Sequence, residues 1–238
     1  MHGQKPQTNN ANVSATSVAK SKVQATSVAK SNAFTMTHPI LLQSQYLPPI
    51  SYFTKINQAA KVQIEAHEHY QKGSYRNRCH IATSQGLTRL SIPLKKGKNQ
   101  QLPIKEVQIA YEENWQKLHW NTIRTAYGNA PFFEHYAPHF EPLYTRKFDY
   151  LFDWNSEILD KLMRLLKLNN QVEITTTNTY LKPEEIKDGT DYRNDFSPKY
   201  VNDVTPKYAQ VFEEKIGFLP NLSIIDALFC CGPQIALK

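Results

Sequence analysis

The sequence predicts a protein of the α/β class: one domain in which helices pack on a mixed sheet, preceded by a disordered N-terminal tail. Short apolar segments that alternate with polar residues occur between residues 39 and 109, and a period of two is typical of strands. From residue 114 onward the apolar period changes to about 3.6 residues, which indicates amphipathic helices. Residues 1–36 are mainly small and polar, so they cannot bury enough apolar surface to offset their ordering entropy. We therefore expect a disordered tail over residues 1–36 and an α/β domain over residues 37–238.

The composition limits the class of protein further. Of the 238 residues, 40% are hydrophobic, which is sufficient for a sizeable core. The chain has no stretch of about 18 consecutive apolar residues, so the sequence predicts no membrane-spanning segment. Three cysteines, two of them adjacent at Cys230 and Cys231, do not resemble a disulfide framework. A reducing compartment, and hence a cytoplasmic location, is expected.

The positive charge of the chain is concentrated in the tail. The formal net charge is +7, and residues 1–36 contain four lysines and no acid. The rest of the chain has 24 basic and 21 acidic residues, which is an ordinary surface balance. This distribution argues against nucleic acid as the partner.

The tail also contains an internal repeat, because the sequence ATSVAKS at residues 15–21 recurs at residues 25–31. It lacks the apolar core of about 7 to 15 residues that a secretory signal requires. One interpretation is that Met36 is the natural start and that the preceding stretch is a dispensable extension.

The first element of the predicted domain is an apolar strand over residues 39–42. A polar turn and a short helix follow, and a proline such as Pro49 is favourable in the first turn of a helix. This arrangement places Gln43, Gln45 and Tyr46 at the end of a strand, beside free helix amides.

The stretch from residue 63 to residue 81 holds the highest concentration of ionisable side chains. On a period of two, Glu65 and His67 lie on the polar face of a strand that begins near Val62. Turn residues at 72–74 precede a second strand-like run through residue 81. We expect a hairpin that returns an arginine to the polar face; the alternative is a solvated edge strand.

Two further strands are predicted over residues 87–94 and 104–109. A basic loop that contains Lys95, Lys96 and Lys98 joins them. The predicted sheet comprises the segments around Ile40, Val62, Ile81, Leu90 and Val107.

The first long helix is predicted over residues 115–127. Asn114 is a suitable N-cap, and Gly128 is a suitable residue after the last turn. The predicted core face carries Trp115, Leu118, Thr122, Ile123, Ala126 and Tyr127.

An aromatic segment follows, which Pro138 and Pro142 are expected to break or bend. The clearest amphipathic helix covers residues 156–168, and its leucines and the preceding aromatics are predicted to be core. Towards the C-terminus we predict a strand over 172–176, an irregular connection over 182–207 and a short helix over 208–215.

A final helix is predicted near the C-terminus. Ser223 and Asp226 match the S-x-x-D form of a capping box, in which the two side chains satisfy amides of the first turn. This assigns a structural role to Asp226.

Several separated blocks of this sequence resemble the WbqC-like family of bacterial proteins, from about His38 to the C-terminus. The blocks are QSQYLPPISYFTKI, SYRNRCHI, LSIPLKK, the W-x-x-x-H-W-x-x-I-x-x-A-Y pattern of Trp115–Tyr127 followed by APFF, and FLPNLSIIDALF. The resemblance implies a gene context of O-antigen and polysaccharide synthesis. It also implies the suspected activity of the family, which is transfer of an acyl or aminoacyl group to an amino sugar.

This chain departs from the Q-P-x-Y-L-P-W-x-G-Y-F block of the family at Ser44, Pro49 and Ser51. The usual acidic pair of the family falls near Ala66 and His67, and its N-R-N-R-I block corresponds to residues 77–81. These departures indicate a divergent branch.

Three kinds of chemistry are open to residues 65–80. His67 and His69 on one strand face, with a nearby carboxylate, would form a three-ligand metal site, although the spacing specifies no third ligand. Cys79 lies between Arg78 and His80, whose charges would lower the thiol pKa and favour a nucleophile; a structural cysteine is the alternative. In the third and preferred hypothesis, Arg76, Arg78 and Lys72 bind a phosphate or carboxylate. His67 or Glu65 acts as the general base.

The candidate catalytic residues are His67 and Glu65, with Cys79 as the possible nucleophile. The candidate substrate-binding residues are Gln43, Tyr46, Lys72, Arg76, Asn77 and Arg78. No metal ligand is assigned, and the absence of a G-x-G-x-x-G or P-loop pattern leaves the cofactor unassigned. If the polar strand face is an active-site wall, Glu65, His67 and Arg76 or Arg78 should converge, bordered by Gln43 or Tyr46.

The predicted function is a transferase that modifies a sugar nucleotide or glycan precursor in bacterial surface polysaccharide biosynthesis. Its partner would be a small molecule such as a nucleotide sugar or an acyl donor. The alternative is a non-catalytic module that binds an acidic polymer such as nucleic acid through the basic tail and the loop of residues 95–99.

Overall fold

The computed structural model describes residues 39–97, 99–186, 189–199 and 205–233. The predicted disordered tail of residues 1–36 lies outside the described residues, as does Lys98 of the basic loop.

Within these ranges the chain forms six strands and six α-helices. The strands are β1 (Ile40–Gln43), β2 (Lys61–Glu65), β3 (Arg78–Thr83), β4 (Gly86–Ser91), β5 (Glu173–Thr176) and β6 (Thr190–Asp191). The helices are α1 (Ile50–Gln58), α2 (Trp115–Tyr127), α3 (Phe133–Thr145), α4 (Leu151–Leu165), α5 (Glu213–Ile216) and α6 (Ile224–Cys231). The predicted α/β class, with parallel and antiparallel strands, is confirmed. No helix in the described part of the chain is long and apolar enough to cross a membrane.

A four-stranded parallel sheet forms the centre of the fold. Its strand order is β5-β2-β1-β6, and all three pairings are parallel. Parallel neighbours need a crossover connection, which α1 supplies between β1 and β2. The register pairs Gln43 with Glu65, so both strands end at the same level. Polar residues that follow these strands therefore meet at one edge of the sheet.

The predicted hairpin between β2 and β3 is wrong. β3 pairs with β4 as an antiparallel ribbon separate from the parallel sheet. The chain leaves the sheet after Glu65, and the backbone amide of Tyr46 binds the Tyr75 carbonyl at 3.0 Å. The period of two correctly indicated strands, but it carries no information on which strand each one pairs with.

The predicted strand around Val107 is also wrong. Residues Ile104–Glu106 form a short 3-10 turn, and only isolated bridges join Leu94 to Ile109 and Gln108 to Tyr150. Four of the five predicted segments are therefore divided between two sheets, and the segment around Val107 belongs to neither.

The predicted bounds of α2 are confirmed, including Asn114 as the N-cap, whose side chain accepts a hydrogen bond from the Lys117 amide. The predicted face is partly wrong, because Leu118 is 65% exposed while His119 and Trp120 are buried. α2 packs against both α3 and α6, so its buried surface is wider than one stripe.

The aromatic segment forms one continuous helix, α3, across Pro138 and Pro142. The break expected from the missing N–H groups does not occur, because the helix buries apolar side chains such as Phe140 and Leu143 in the core. α4 begins at Leu151, five residues before the predicted start. Its fully buried Trp154 packs against the rings of aromatic neighbours. Of the aromatic residues predicted to be core, Phe132, which precedes α3, is 39% exposed, and the others are buried.

The capping box predicted for α6 is not formed, because the Ser223 side chain makes no capping hydrogen bond. Asp226 is fully buried and accepts hydrogen bonds from the hydroxyls of Tyr127 at 2.6 Å and Tyr208 at 2.7 Å. Its role is structural, but it links α6 to α2 and to the segment before α5.

Candidate functional site

A buried charge network lies at the carboxyl edge of the parallel sheet. Glu65, the last residue of β2, is fully buried. Its Oε1 accepts hydrogen bonds from the His67 amide (2.9 Å) and the Thr177 hydroxyl (2.7 Å). Its Oε2 accepts from the Leu181 amide (3.2 Å) and from Nη1 of Arg193 (3.0 Å). A carboxylate has about four acceptor positions, so these four bonds saturate it and join β2 to the segments after β5 and β6.

Arg193 is 3% exposed and bridges two carboxylates. Besides Glu65, it binds Asp191 through Nε and Nη2 at 2.7–3.1 Å. The ring of Tyr180 covers the guanidinium, with its centroid 5.0 Å from Cζ. One cation thus faces two acids, and the network retains an excess of negative charge.

Asp191 is the member of this network that reaches solvent, with 24% of its side chain exposed. Burial raises its pKa, but the hydrogen bonds and positive charge of Arg193 outweigh burial and lower the pKa overall. Asp191 therefore remains ionised at neutral pH. Its oxygens already accept hydrogen bonds from the backbone amide, Nε and Nη2 of Arg193, which leaves about one of its four acceptor positions for a ligand.

A cleft of about 800 Å³ opens above the network, and we refer to it as the edge cleft. Its lining includes His67, His69, Lys72, Asp191 and Tyr180. This volume lies in the range of small-molecule sites, and ligands of parallel α/β sheets bind at the carboxyl ends of the strands.

A second cleft of about 530 Å³, which we call the ribbon cleft, adjoins the edge cleft. The two share Tyr70, Lys72 and Gln100 as lining residues, and the ribbon cleft adds Asn77 and Arg78. Asn77 accepts a hydrogen bond from the Tyr70 hydroxyl at 3.0 Å and donates to the Ile92 carbonyl at 2.9 Å. Its amide therefore holds the wall of the cleft in place.

A second buried ion pair joins Glu68 and Arg76. Nε and Nη2 of Arg76 bind the two carboxylate oxygens at 2.8 and 2.5 Å, and Arg76 is 1% exposed. Burial raises the pKa of Glu68, and the hydrogen bonds and charge of Arg76 oppose this increase. The guanidinium of Arg76 is committed to this pair and is not presented to a ligand.

The predicted convergence of Glu65 with Arg76 or Arg78 is wrong, because the arginine that binds Glu65 is Arg193. His67 is half-buried; its amide binds Glu65 and its side chain lines the edge cleft. Of the predicted binding residues, Lys72 lines both clefts and Arg78 lines the ribbon cleft.

The thiol of Cys79 is fully buried in the core. Burial raises its pKa strongly, whereas the sequence predicted a lowered pKa from the neighbouring cations. That prediction is wrong because successive side chains of a strand point to opposite faces, so Arg78 and His80 point away from the thiol. The buried position supports the structural alternative for Cys79.

Gln43 and Tyr46 are fully buried and line neither cleft. Gln43 donates to the Phe196 carbonyl, and Tyr46 is hydrogen-bonded to His119 at 3.0 Å and to Tyr144 at 2.8 Å. The first amides of α1 were expected to be free. Instead, the Ile50 amide donates to the Leu222 carbonyl and the Ser51 amide donates to Oδ1 of Asn221. The predicted contact of Gln43 and Tyr46 with a substrate is therefore not supported.

His67 and His69 both line the edge cleft, but in the described residues no three His, Cys, Asp or Glu side chains are grouped closely enough to hold a metal ion. The third ligand that the metal hypothesis requires is not found among them.

Sequence reasoning missed Arg193, Asp191, Thr177, Glu68 and Tyr180. Three of these follow or end the short strands β5 and β6, inside or beside a stretch interpreted as irregular. The alternation of Asp191 and Arg193 on either side of Tyr192, a period of two, was the available signal. Recognising it required knowing that β6 joins the same sheet as β1.

Comparison with known proteins agrees with the resemblance noted in the sequence. The profile of the WbqC-like protein family matches residues 43–190. A relative, the uncharacterized protein Rv1507c of Mycobacterium tuberculosis, is 34% identical over 105 residues, which cover 44% of this chain and 45% of the relative. The match thus spans less than half the length of that relative. No solved structure matches the chain. Because the profile covers more than half of the sequence, the chain belongs to the WbqC-like protein family.

Proposed function

We propose that this protein is a transferase that modifies a sugar nucleotide or glycan precursor in bacterial surface polysaccharide biosynthesis, by acyl or aminoacyl transfer to an amino sugar. The observation that carries the proposal is the edge cleft, in which His67 and the ionised Asp191 lie above the Glu65–Arg193 pair. The cleft combines a base, hydrogen-bond acceptors and an aromatic ring, which are the groups that a polar, hydroxylated substrate requires.

The buried network supports a functional role for this edge. Removing charges from water costs free energy that an ion pair only partly recovers, so a buried cluster with excess negative charge is not an efficient way to gain stability. Glu65 and Arg193 hold Asp191 in one orientation at the cleft surface. Such a positioned acceptor is suited to binding an amine or hydroxyl group.

In this proposal His67 is the general base. The acceptor amine attacks the carbonyl carbon of the acyl donor, and His67 takes the proton that the amine loses. The leaving group departs with the electron pair of its bond to the carbonyl carbon and then receives the proton from His67. Asp191 binds a second N–H or O–H group of the acceptor and fixes its orientation.

The test uses the full chain with UDP-glucosamine as amino-sugar nucleotide and acetyl-CoA as acyl donor. Calorimetry measures binding, and mass spectrometry measures the acetylated product. We expect saturable binding of UDP-glucosamine, and we expect His67→Gln to retain binding but lose turnover by about 10²- to 10⁴-fold, the range for general-base removal.

The matched control is His139→Gln, which changes an exposed histidine on α3 outside both clefts. It should behave as the unmodified protein. Absence of saturable nucleotide-sugar binding, or full turnover in His67→Gln, would contradict the proposal.

A further inference from the structure

One face of the β3–β4 ribbon is unusually cationic. The antiparallel register pairs Arg78 with Ser91 and His80 with Arg89, and directly opposite residues of such a ladder share a face. Arg78, His80 and Arg89 therefore lie side by side. The charges of Arg78 and Arg89 add to burial in lowering the pKa of His80, so these cations repel one another.

Arg78 differs from the other arginines near the two clefts. Arg76 and Arg193 are buried in ion pairs with carboxylates. In the described ranges, Arg78 forms no ion pair, and its buried Nε has no hydrogen-bond partner. Burial lowers its pKa, and the charge of Arg89 lowers it further. A partly desolvated guanidinium without an acid costs free energy that a bound anion would offset.

The lining of the ribbon cleft includes a second unpaired cation. Lys72 is exposed, lines both clefts and forms no ion pair within the described residues. No carboxylate belongs to the described lining of the ribbon cleft, which otherwise consists of amide, tyrosine, apolar and glycine residues. In contrast, the lining of the edge cleft balances the cations Lys72 and Arg193 with the acids Glu68 and Asp191. The two adjoining clefts therefore differ in the charge of the ligand they favour.

We infer that the ribbon cleft is a phosphate subsite, in which Arg78 and Lys72 bind the diphosphate of a substrate whose sugar lies in the edge cleft. The planar fork of an arginine matches two oxygens of one phosphate, and a lysine ammonium supplies a point charge for the second. Lys72 and Gln100, shared by both clefts, lie where the phosphate joins the sugar. This inference rests on the proposed function for the position of the sugar, whereas the phosphate contact is testable without turnover.

The test measures inorganic pyrophosphate binding to the full chain by calorimetry at low ionic strength. We expect one site that Arg78→Gln weakens at least about tenfold, in the range of a lost charge-assisted hydrogen bond pair. Arg78→Lys should also weaken binding, because it keeps the charge but loses the fork. Lys72→Gln, a change of an exposed residue, provides a second variant should Arg78 variants fail to fold. Arg124→Gln, an exposed arginine on α2, is the control and should bind as the unmodified protein.

Two further arms distinguish this inference from its alternatives. Asp191→Asn in the edge cleft should retain pyrophosphate affinity, and UDP-glucose should compete with pyrophosphate. If the unmodified protein forms no acetylated product, the pyrophosphate results are unaffected. The two proposals therefore fail separately. The inference is overturned if pyrophosphate does not bind, if Arg78→Gln and Lys72→Gln bind as the unmodified protein, or if Asp191→Asn weakens binding equally. Competition by a single-stranded oligonucleotide but not by UDP-glucose would overturn the small-molecule assignment.

Discussion

Glu65 shows how the surroundings of one residue determine its chemical role. As the end of a polar strand face it was a candidate base, yet all its acceptor positions are occupied in the fold. Because an arginine, a hydroxyl and two amides occupy these positions, no acceptor position of the carboxylate is open to a substrate. It acts as a positioning residue for Arg193 and Asp191.

The Glu65–Arg193 pair gives the first stability prediction. Arg193→Met leaves the fully buried Glu65 without its counter-charge, and such a loss costs about 3–5 kcal/mol of unfolding free energy. Urea denaturation followed by circular dichroism measures this change. The matched control, Arg164→Met, removes an exposed pair with Asp160 and should cost no more than about 0.5 kcal/mol. Equal effects of the two substitutions would show that the buried pair has no special role.

Asp226 gives a prediction about pH. Burial raises its pKa to about 6, and the hydrogen bonds from Tyr127 and Tyr208 only partly oppose this increase. Between about pH 4 and pH 6, the folded state therefore keeps a proton that the unfolded state has released. The contribution of Asp226 to the free energy of unfolding falls as the pH rises through this range.

The variant Asp226→Asn lacks this titration. The stability of the unmodified protein relative to the variant should therefore fall by about 2 kcal/mol between pH 4.5 and pH 7.5, at 1.36 kcal/mol per pH unit up to the folded pKa. Denaturant unfolding of both proteins at the two pH values measures the difference. A difference that stays constant, or that grows with pH, would rule out the raised pKa.

At the scale of elements, α2 shows which features of a helix are local. Its ends were predicted correctly because the N-cap and the apolar period belong to neighbouring residues. Its buried face depends on α3 and α6, which pack against it from two directions. Leu118 is exposed for this reason, and His119, which the predicted core face did not include, is buried.

The difference between the predicted and the observed face of α2 can be measured. Ile123→Ala, at 1% exposure, should lower the unfolding free energy by about 2–5 kcal/mol, because it leaves a cavity. Leu118→Ala, at 65% exposure in the same helix, should change it by less than about 0.5 kcal/mol. Comparable losses of unfolding free energy in the two variants would show that Leu118 belongs to the buried face, as the sequence predicted.

At the scale of the whole molecule, the sheet and the ribbon place two clefts of different charge next to each other. This arrangement favours a small molecule with a neutral polar part and an anionic part over a long acidic polymer. The polymer hypothesis remains a prediction that salt dependence can test. Its proposed basic tail and Lys98 lie outside the described residues.

We expect a fluorescent single-stranded oligonucleotide to bind no more tightly than about 10⁻⁴ to 10⁻⁶ M at physiological salt, the range of non-specific contacts. Its affinity should fall steeply as salt rises and should be the same in His67→Gln. UDP-glucosamine binding should persist at the same salt. Nanomolar oligonucleotide binding without any nucleotide-sugar ligand would favour the polymer module.

The sequence by itself determined the properties that depend on neighbouring residues. These include the α/β class, the bounds and N-cap of α2, the approximate position of β5 and the blocks that resemble the WbqC-like family. It also directed attention to His67, Lys72 and Arg78, which line the two clefts. Each of these follows from a local period, a cap or a short motif.

Only the tertiary structure decided which charges meet. The bond between Arg193 and Glu65 joins residues 128 positions apart. Because β3 pairs with β4 and not with β2, Arg76 does not reach Glu65 and pairs with Glu68 instead. A strand pattern specifies which side chains share a face but not which strand lies beside it. The partners of Glu65 and the core position of Cys79 were therefore set by the packing of distant segments, because burial and ion pairing depend on the whole fold.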